Sequence, residues 1–373
     1  MLWSLSKRIC KLLDSGEKPT PERHSRTDVQ VSTGLTLRRL ILESNSDNTD
    51  ILKNDLTFLE PDSLSKLQKV AADDGAEHLV YVEYKSYELP ARRPNDKLTV
   101  QRACNLARLL HQPNASDAGF QTLHLRCLVQ QKRPSTRFAF VFDLPADVNP
   151  KPITLLQAIE NIRNEDSVTR PTLGQRFRIA RSLAETLFQF HSVGWLHKSI
   201  RSENILLFPN NNQQIEYTHP YLVGFEFSRD VLDRSNTEQD GLLKRNIYRH
   251  PDRQGSPSDE KDLDRPFTLL HDIYALGVVL LEVGLWRGAM GYEDWNPTMS
   301  ADEIQRSLEE HARQRLPHYM GQAYTDMVVA CLQGEYLDRG RAGGALSDVE
   351  REMTQLAYYE AVLAGTEGGL PLK

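Results

Sequence analysis

The chain has 373 residues, 39% of them hydrophobic and 26% charged, an ordinary globular composition that excludes a wholly disordered chain and is long enough for two domains or one large bilobal unit. A formal net charge of -6 argues against a general nucleic-acid binder. The four cysteines, Cys10, Cys104, Cys127 and Cys331, are too scattered for a zinc framework or a disulfide scaffold and read as buried reduced thiols.

In chain order, residues 1–14 place Trp3, Leu5, Ile9, Leu12 and Leu13 on one face with Lys7, Arg8 and Lys11 between them, a short basic amphipathic helix. Two readings stay open: weak contact with a membrane surface, or packing against protein. Residues 15–30 read as a linker, and residues 1–14 lack the h-region and cleavage site of a secretory signal. The expectation is a cytoplasmic protein, the nucleus being an alternative. Folded structure is expected from Val31. From there to residue 145, runs at Thr36–Leu42, Leu79–Tyr84 and Arg137–Phe142 suit strands, and Leu98–Leu110 repeats apolar residues at helical spacing. This predicts a small sheet-based lobe over residues 31–145. Helical patterns then follow at Thr154–Ile162, Leu173–His191, Phe267–Leu285, Ala301–Arg315, Tyr319–Leu332 and Ser347–Leu363, a helical lobe over residues 146–373. The expected class is α+β. The longest apolar run, Ile273–Trp286, is interrupted by Glu282 and falls short of the roughly 18 residues of a membrane span.

Several segments carry a shared pattern. His197-Lys198-Ser199-Ile200-Arg201-Ser202-Glu203-Asn204 follows a long predicted helix and precedes an apolar run, Ile205–Phe208. Tyr221-Leu222-Val223-Gly224-Phe225-Glu226 comes next, then Tyr248-Arg249-His250-Pro251-Asp252, then His271-Asp272-Ile273-Tyr274-Ala275-Leu276-Gly277. In this order and spacing, over about residues 75–335, the chain resembles the protein kinase family. More narrowly, it resembles fungal kinase-like proteins, some of which carry a HeLo or prion-inhibition helical domain and serve incompatibility or cell-death signalling.

The resemblance implies a bilobal fold hinged near Val141–Pro145, and it also marks what is missing. Ser199 stands where the family has its proton-accepting aspartate, and Lys198 and Arg201 replace the neighbouring Arg and Lys, while Asn204 is kept. A hydroxyl is a far weaker general base than a carboxylate, a role contributing about 10²–10⁴-fold. Gly224 stands at the position of the magnesium-binding Asp and Glu226 at that of the following Gly. Val82-Glu83-Tyr84-Lys85 falls where Val-Ala-Ile-Lys is expected, so Lys85 is either the lysine that contacts nucleotide phosphates or a surface residue. Its usual glutamate partner has no counterpart, because Lys97–Ser116 contains no Asp or Glu, and only Gly75 stands where a glycine-rich loop is expected.

The resemblance further gives Asp272 the role of accepting backbone hydrogen bonds from the His197 loop, puts His197 in the core beneath Phe225, and pairs Asp252 with Arg339 or Arg341. The resulting expectation is a pseudokinase that acts by binding protein partners, with no catalytic residues, no bound metal and no cofactor. A basic segment, Lys244, Arg245, Arg249 and Arg253, either attracts an acidic partner or is simply solvated. The alternative is a divergent, active ATP-dependent and magnesium-dependent protein kinase that uses Lys85, Asn204 and a displaced acid, Glu203 or Glu226.

Overall fold

Alternation along Val80-Tyr81-Val82-Glu83-Tyr84-Lys85 sends successive side chains to opposite faces of a strand. The computed structural model describes residues 51–52, 56–59, 66–71, 75–86, 97–111, 120–131, 137–161, 170–225, 228–230, 243–254, 267–292, 295–296 and 299–334, and 348–371. The predicted helix over 1–14, the linker and the strand Thr36–Leu42 lie outside them, as does Glu226.

Five described strands form one antiparallel sheet: β1 (Thr57–Phe58), β2 (Leu67–Ala71), β3 (Glu77–Ser86), β4 (Leu125–Gln131) and β5 (Arg137–Asp143), in the order β1-β2-β3-β5-β4. One face gathers Val70, Val80, Val82, Val129, Ala139 and Val141. The other turns Tyr81, Leu128, Phe138, Phe140 and Phe142 toward α1 (Lys97–Leu110), which buries Ala103, Cys104, Leu106, Ala107 and Leu110. Period two fixes the consequence that Glu83 and Lys85 share the inward face with Tyr81.

Helices dominate after β5. They are α2 (Leu155–Asn161), α3 (Leu173–Ser192), the short α4 (Leu243–Asn246), α5 (Leu269–Leu285), α6 (Ala301–Met320), α7 (Gln322–Gln333) and α8 (Asp348–Glu367). Thr172 starts α3 by accepting the N–H of Gln175, whose side chain returns a bond to the Thr172 N–H, a capping box. Ser300 and Glu303 do the same for α6. α6 runs to Met320, past its expected end at Arg315, with Pro317 inside its last turn, and Gly321 (φ 82°) then separates it from α7. α5 is apolar nearly all round, and every residue from His271 to Gly284 is buried, so it is the axis of the helical layer. It approaches α7 closely at Gly277, where a Cβ would stand 2.8 Å from Cys331 Cβ. α8 lies on α3 through the stacked rings of Phe188 and Tyr359 (4.3 Å) and a buried Arg181–Glu185 pair that also reaches Thr366. Cys104, Cys127 and Cys331 are buried thiols outside any disulfide, as expected.

Short ladders between the two layers do the positioning. β7 (Trp195–Leu196) pairs with β10 (Arg229–Asp230), and β8 (Ile205–Leu207) pairs with β9 (Tyr221–Leu222) and with β6 (Ile153–Thr154). Because β7 and β8 flank residues 197–204 while β9 and β10 flank residues 223–228, these antiparallel pairings set the two loops face to face.

Candidate functional site

The first loop hangs from α5. Asp272 Oδ2 accepts the His197 N–H at 2.7 Å and Oδ1 accepts the Lys198 N–H at 2.7 Å, with His191 Nε2 3.3 Å from Oδ2. Burial alone would raise the Asp272 pKa, but the bonds from His191 and the Lys198 backbone outweigh it and hold the carboxyl below its ordinary value. That anchor keeps Lys198 at φ 67°, a left-handed conformation costing a non-glycine residue about 1–2 kcal/mol. His197 is fully buried against Phe225 (5.0 Å between ring centroids) and Phe190, and burial pushes its pKa down to about 4. It is a neutral core residue, as the resemblance implied.

Four of the expected site residues come together at this point. Ser199 Oγ accepts from Arg201 Nη1 at 2.8 Å and from Asn204 Nδ2 at 3.0 Å, and Asn204 Nδ2 also donates to the Ser199 carbonyl at 2.7 Å. Both of these partners of the hydroxyl are donors, so neither takes a proton from it. Gly224 faces Asn204 so closely that a Cβ on it would lie 2.3 Å from Asn204 Nδ2, and its φ is +91°. The glycine is therefore required by space as well as by backbone conformation. Glu203 turns aside, pairing with Arg201 at 3.1 Å with a third of its side chain exposed.

Across the gap, β3 supplies the remaining groups. Glu83, 6% exposed, accepts the Gly224 N–H on Oε1 at 2.6 Å and the Phe225 N–H on Oε2 at 2.8 Å. Successive backbone N–H groups of this kind form a concave anion site, and here the anion is the protein's own carboxylate. Lys66 Nζ stands 4.0 Å from the same carboxylate. Two residues along the strand, Lys85 Nζ donates to the Ser228 carbonyl at 2.5 Å. The half-buried ammonium thus binds the second loop directly. Glu83 and Lys85 together fasten the sheet to Gly224, Phe225 and Ser228.

Glu83 is the residue that sequence reading passed over. Its signal was an acidic side chain at an inward strand position, which requires a partner, but that partner is two backbone N–H groups more than 140 residues away.

A second network ties the basic segment to the first loop. Ser202 Oγ and Tyr248 Oη are 2.9 Å apart, and Tyr248 donates to Glu282 Oε1 at 2.8 Å, which also accepts the Ala289 N–H at 2.8 Å. Of the basic residues, Lys244 is exposed, Arg245 and Arg249 are half-buried, and Arg253 is buried. Asp252 lies against His250 and His271, and its expected partners Arg339 and Arg341 lie outside the described residues.

The chain belongs to the DUF7580 family, a domain of unknown function, whose family model matches residues 107–358. No curated protein matches it. No helix among the described residues is long and apolar enough to cross a membrane.

Proposed function

We propose that this DUF7580 chain is a pseudokinase, a bilobal kinase-like unit with a sheet-based lobe over residues 31–145 and a helical lobe over residues 146–373, acting in cytoplasmic signalling by binding other proteins. The order of the kinase-like segments supports the fold reading, as does Asp272 holding the loop at His197 and Lys198. Glu83 is the observation that carries the functional reading. It stands where the resemblance has alanine, and its carboxylate occupies the backbone donors at the second loop.

Phosphoryl transfer depends on positioning and on neutralising charge around the phosphates. A carboxylate in the gap adds negative charge instead, Ser199 offers no base, and an aspartate at position 224 would press its Cβ against the Asn204 side chain. ATP and magnesium are accordingly not ligands in this reading. The same setting as fungal incompatibility or cell-death signalling follows from the resemblance alone.

The test is phosphoryl transfer by purified full-length protein with radiolabelled ATP, magnesium or manganese, and both itself and a generic protein as acceptors. The expected result is no incorporation above that of a Lys85→Ala control. Robust incorporation by the wild type that Lys85→Ala abolishes would overturn the proposal in favour of an active kinase.

A further inference from the structure

We propose that His250, Asp252 and His271 form a binding site for a first-row divalent cation of the zinc type. The three residues come from two elements. His250 and Asp252 belong to the turn Pro251–Arg253 and its N-terminal cap, and His271 lies in the first turn of α5. Each turns one ligand atom inward, His250 Nδ1, Asp252 Oδ1 and His271 Nε2, and these atoms lie within 4.8 Å of one another. Asp252 Oδ1 is 2.8 Å from His250 Nδ1 and 2.9 Å from His271 Nε2. Two ring nitrogens and a carboxylate oxygen facing one another leave gaps that must be filled by protons or by one shared cation.

The surroundings accommodate the second solution. Thr268 offers His271 Nδ1 a donor, its N–H at 2.7 Å, and an acceptor, its carbonyl at 3.1 Å. When Nδ1 accepts, Nε2 carries the proton and gives it to Asp252. As the chain stands Nδ1 accepts, so zinc must displace the Nε2 proton; with that proton moved to Nδ1 and the Thr268 N–H turned aside, Nδ1–H donates to the carbonyl and Nε2 presents a lone pair, the arrangement in which a metal-ligating histidine is held by its other nitrogen. The Asp252 N–H donates to the lone pair of His250 Nδ1 over a long 3.4 Å, a bond that a cation would replace.

Ligand type selects the ion. Two imidazoles and one carboxylate suit zinc, whereas magnesium demands oxygens. Tetrahedral zinc places its ligand atoms about 3.3 Å apart, so the two contacts of Asp252 Oδ1 would each lengthen by about half an ångström to take it. His271 side-chain exposure is 6% against 24% for His250 and 34% for Asp252, so the site is closed beneath and open above, leaving room for a fourth ligand from solvent. A bound ion would clip the end of the basic segment to α5, one residue from Asp272.

The test uses tag-free full-length protein, stripped with chelator and dialysed. Zinc chloride is titrated by calorimetry, with magnesium chloride as comparison, and cobalt(II) reports coordination through its visible absorption. One zinc per chain is expected, with a zinc-dependent rise in melting temperature, no response to magnesium, and affinity at least tenfold lower in His250→Gln and Asp252→Asn. The half-exposed His250 makes its variant the mild one, and the cobalt spectrum of the wild type reports ligand type with no substitution. Absence of stoichiometric zinc, zinc binding unchanged in both variants, or a cobalt spectrum of hydrated ion would overturn the assignment.

Discussion

Truncating Glu83 to alanine tests the fastening of the sheet to the second loop. The substitution removes two hydrogen bonds of 2.6 and 2.8 Å and leaves the Gly224 and Phe225 N–H groups buried without their acceptor. Each unmet buried N–H costs about 1–3 kcal/mol, and relief of the carboxylate's own desolvation returns part of that. The expected net loss is about 3 kcal/mol, a large share of the roughly 5–15 kcal/mol that holds a protein folded. Glu83→Gln keeps one acceptor oxygen but turns an amide NH₂ toward the other N–H, so its loss should be about half as large. Urea denaturation followed by tryptophan fluorescence measures both, as a lower midpoint at unchanged slope. Added formate, a small carboxylate, should restore part of the stability of Glu83→Ala and none to the wild type. A loss below about 0.5 kcal/mol, the size of an ordinary surface substitution, would refute the reasoning.

Gly224→Asp, which restores the acid the kinase pattern expects, should destabilise by at least about 2 kcal/mol, because its Cβ meets Asn204 and its φ is +91°; Asn204→Ala in the same chain should relieve only the steric part, and a melting-temperature series checks this. Glu282 is fully buried, its Oε2 has no hydrogen-bond partner among the described residues, and burial raises its pKa to about 7 despite the bonds from Ala289 and Tyr248. An unfolded glutamate loses its proton near 4.5, so between about 4.5 and about 7 the folded chain holds a proton the unfolded one has released, and stability falls as pH rises through that window. The fall should amount to about 3 kcal/mol. Glu282→Gln should flatten that part of the pH–stability curve, and a wild-type curve already flat from pH 5 to 7.5 would contradict the account.

Much of the fold could be read from periodicity. The run Phe267–Leu285 is apolar on all sides and became the buried helix α5, which begins at Leu269 because His271 Nδ1 accepts the Thr268 N–H. Leu173 opened α3 as expected because Thr172 and Gln175 spell a capping box. Among the strands that escaped notice, two of the sheet's longer ones did so for physical reasons. β4 carries a bulge between Leu125 and Cys127 that breaks its alternation, and β2, Leu-Gln-Lys-Val-Ala, is short and half polar. The apolar pattern placed the end of α6 at Arg315, yet the helix runs to Met320 and it is Gly321 that ends it. At the candidate site, Ser199, Arg201, Asn204 and Gly224 were legible as a group because they lie on adjacent loops. Glu83 and the His250–Asp252–His271 cluster were not, since their meaning depends on groups brought near only by folding.

Isothermal titration of magnesium-ATP into the wild-type chain tests the central claim most directly, that the gap between sheet and second loop is closed by the protein's own Glu83 and Lys85. The account predicts no saturable heat at millimolar nucleotide, with or without magnesium. Saturable, magnesium-dependent binding that Lys85→Ala removes would contradict it.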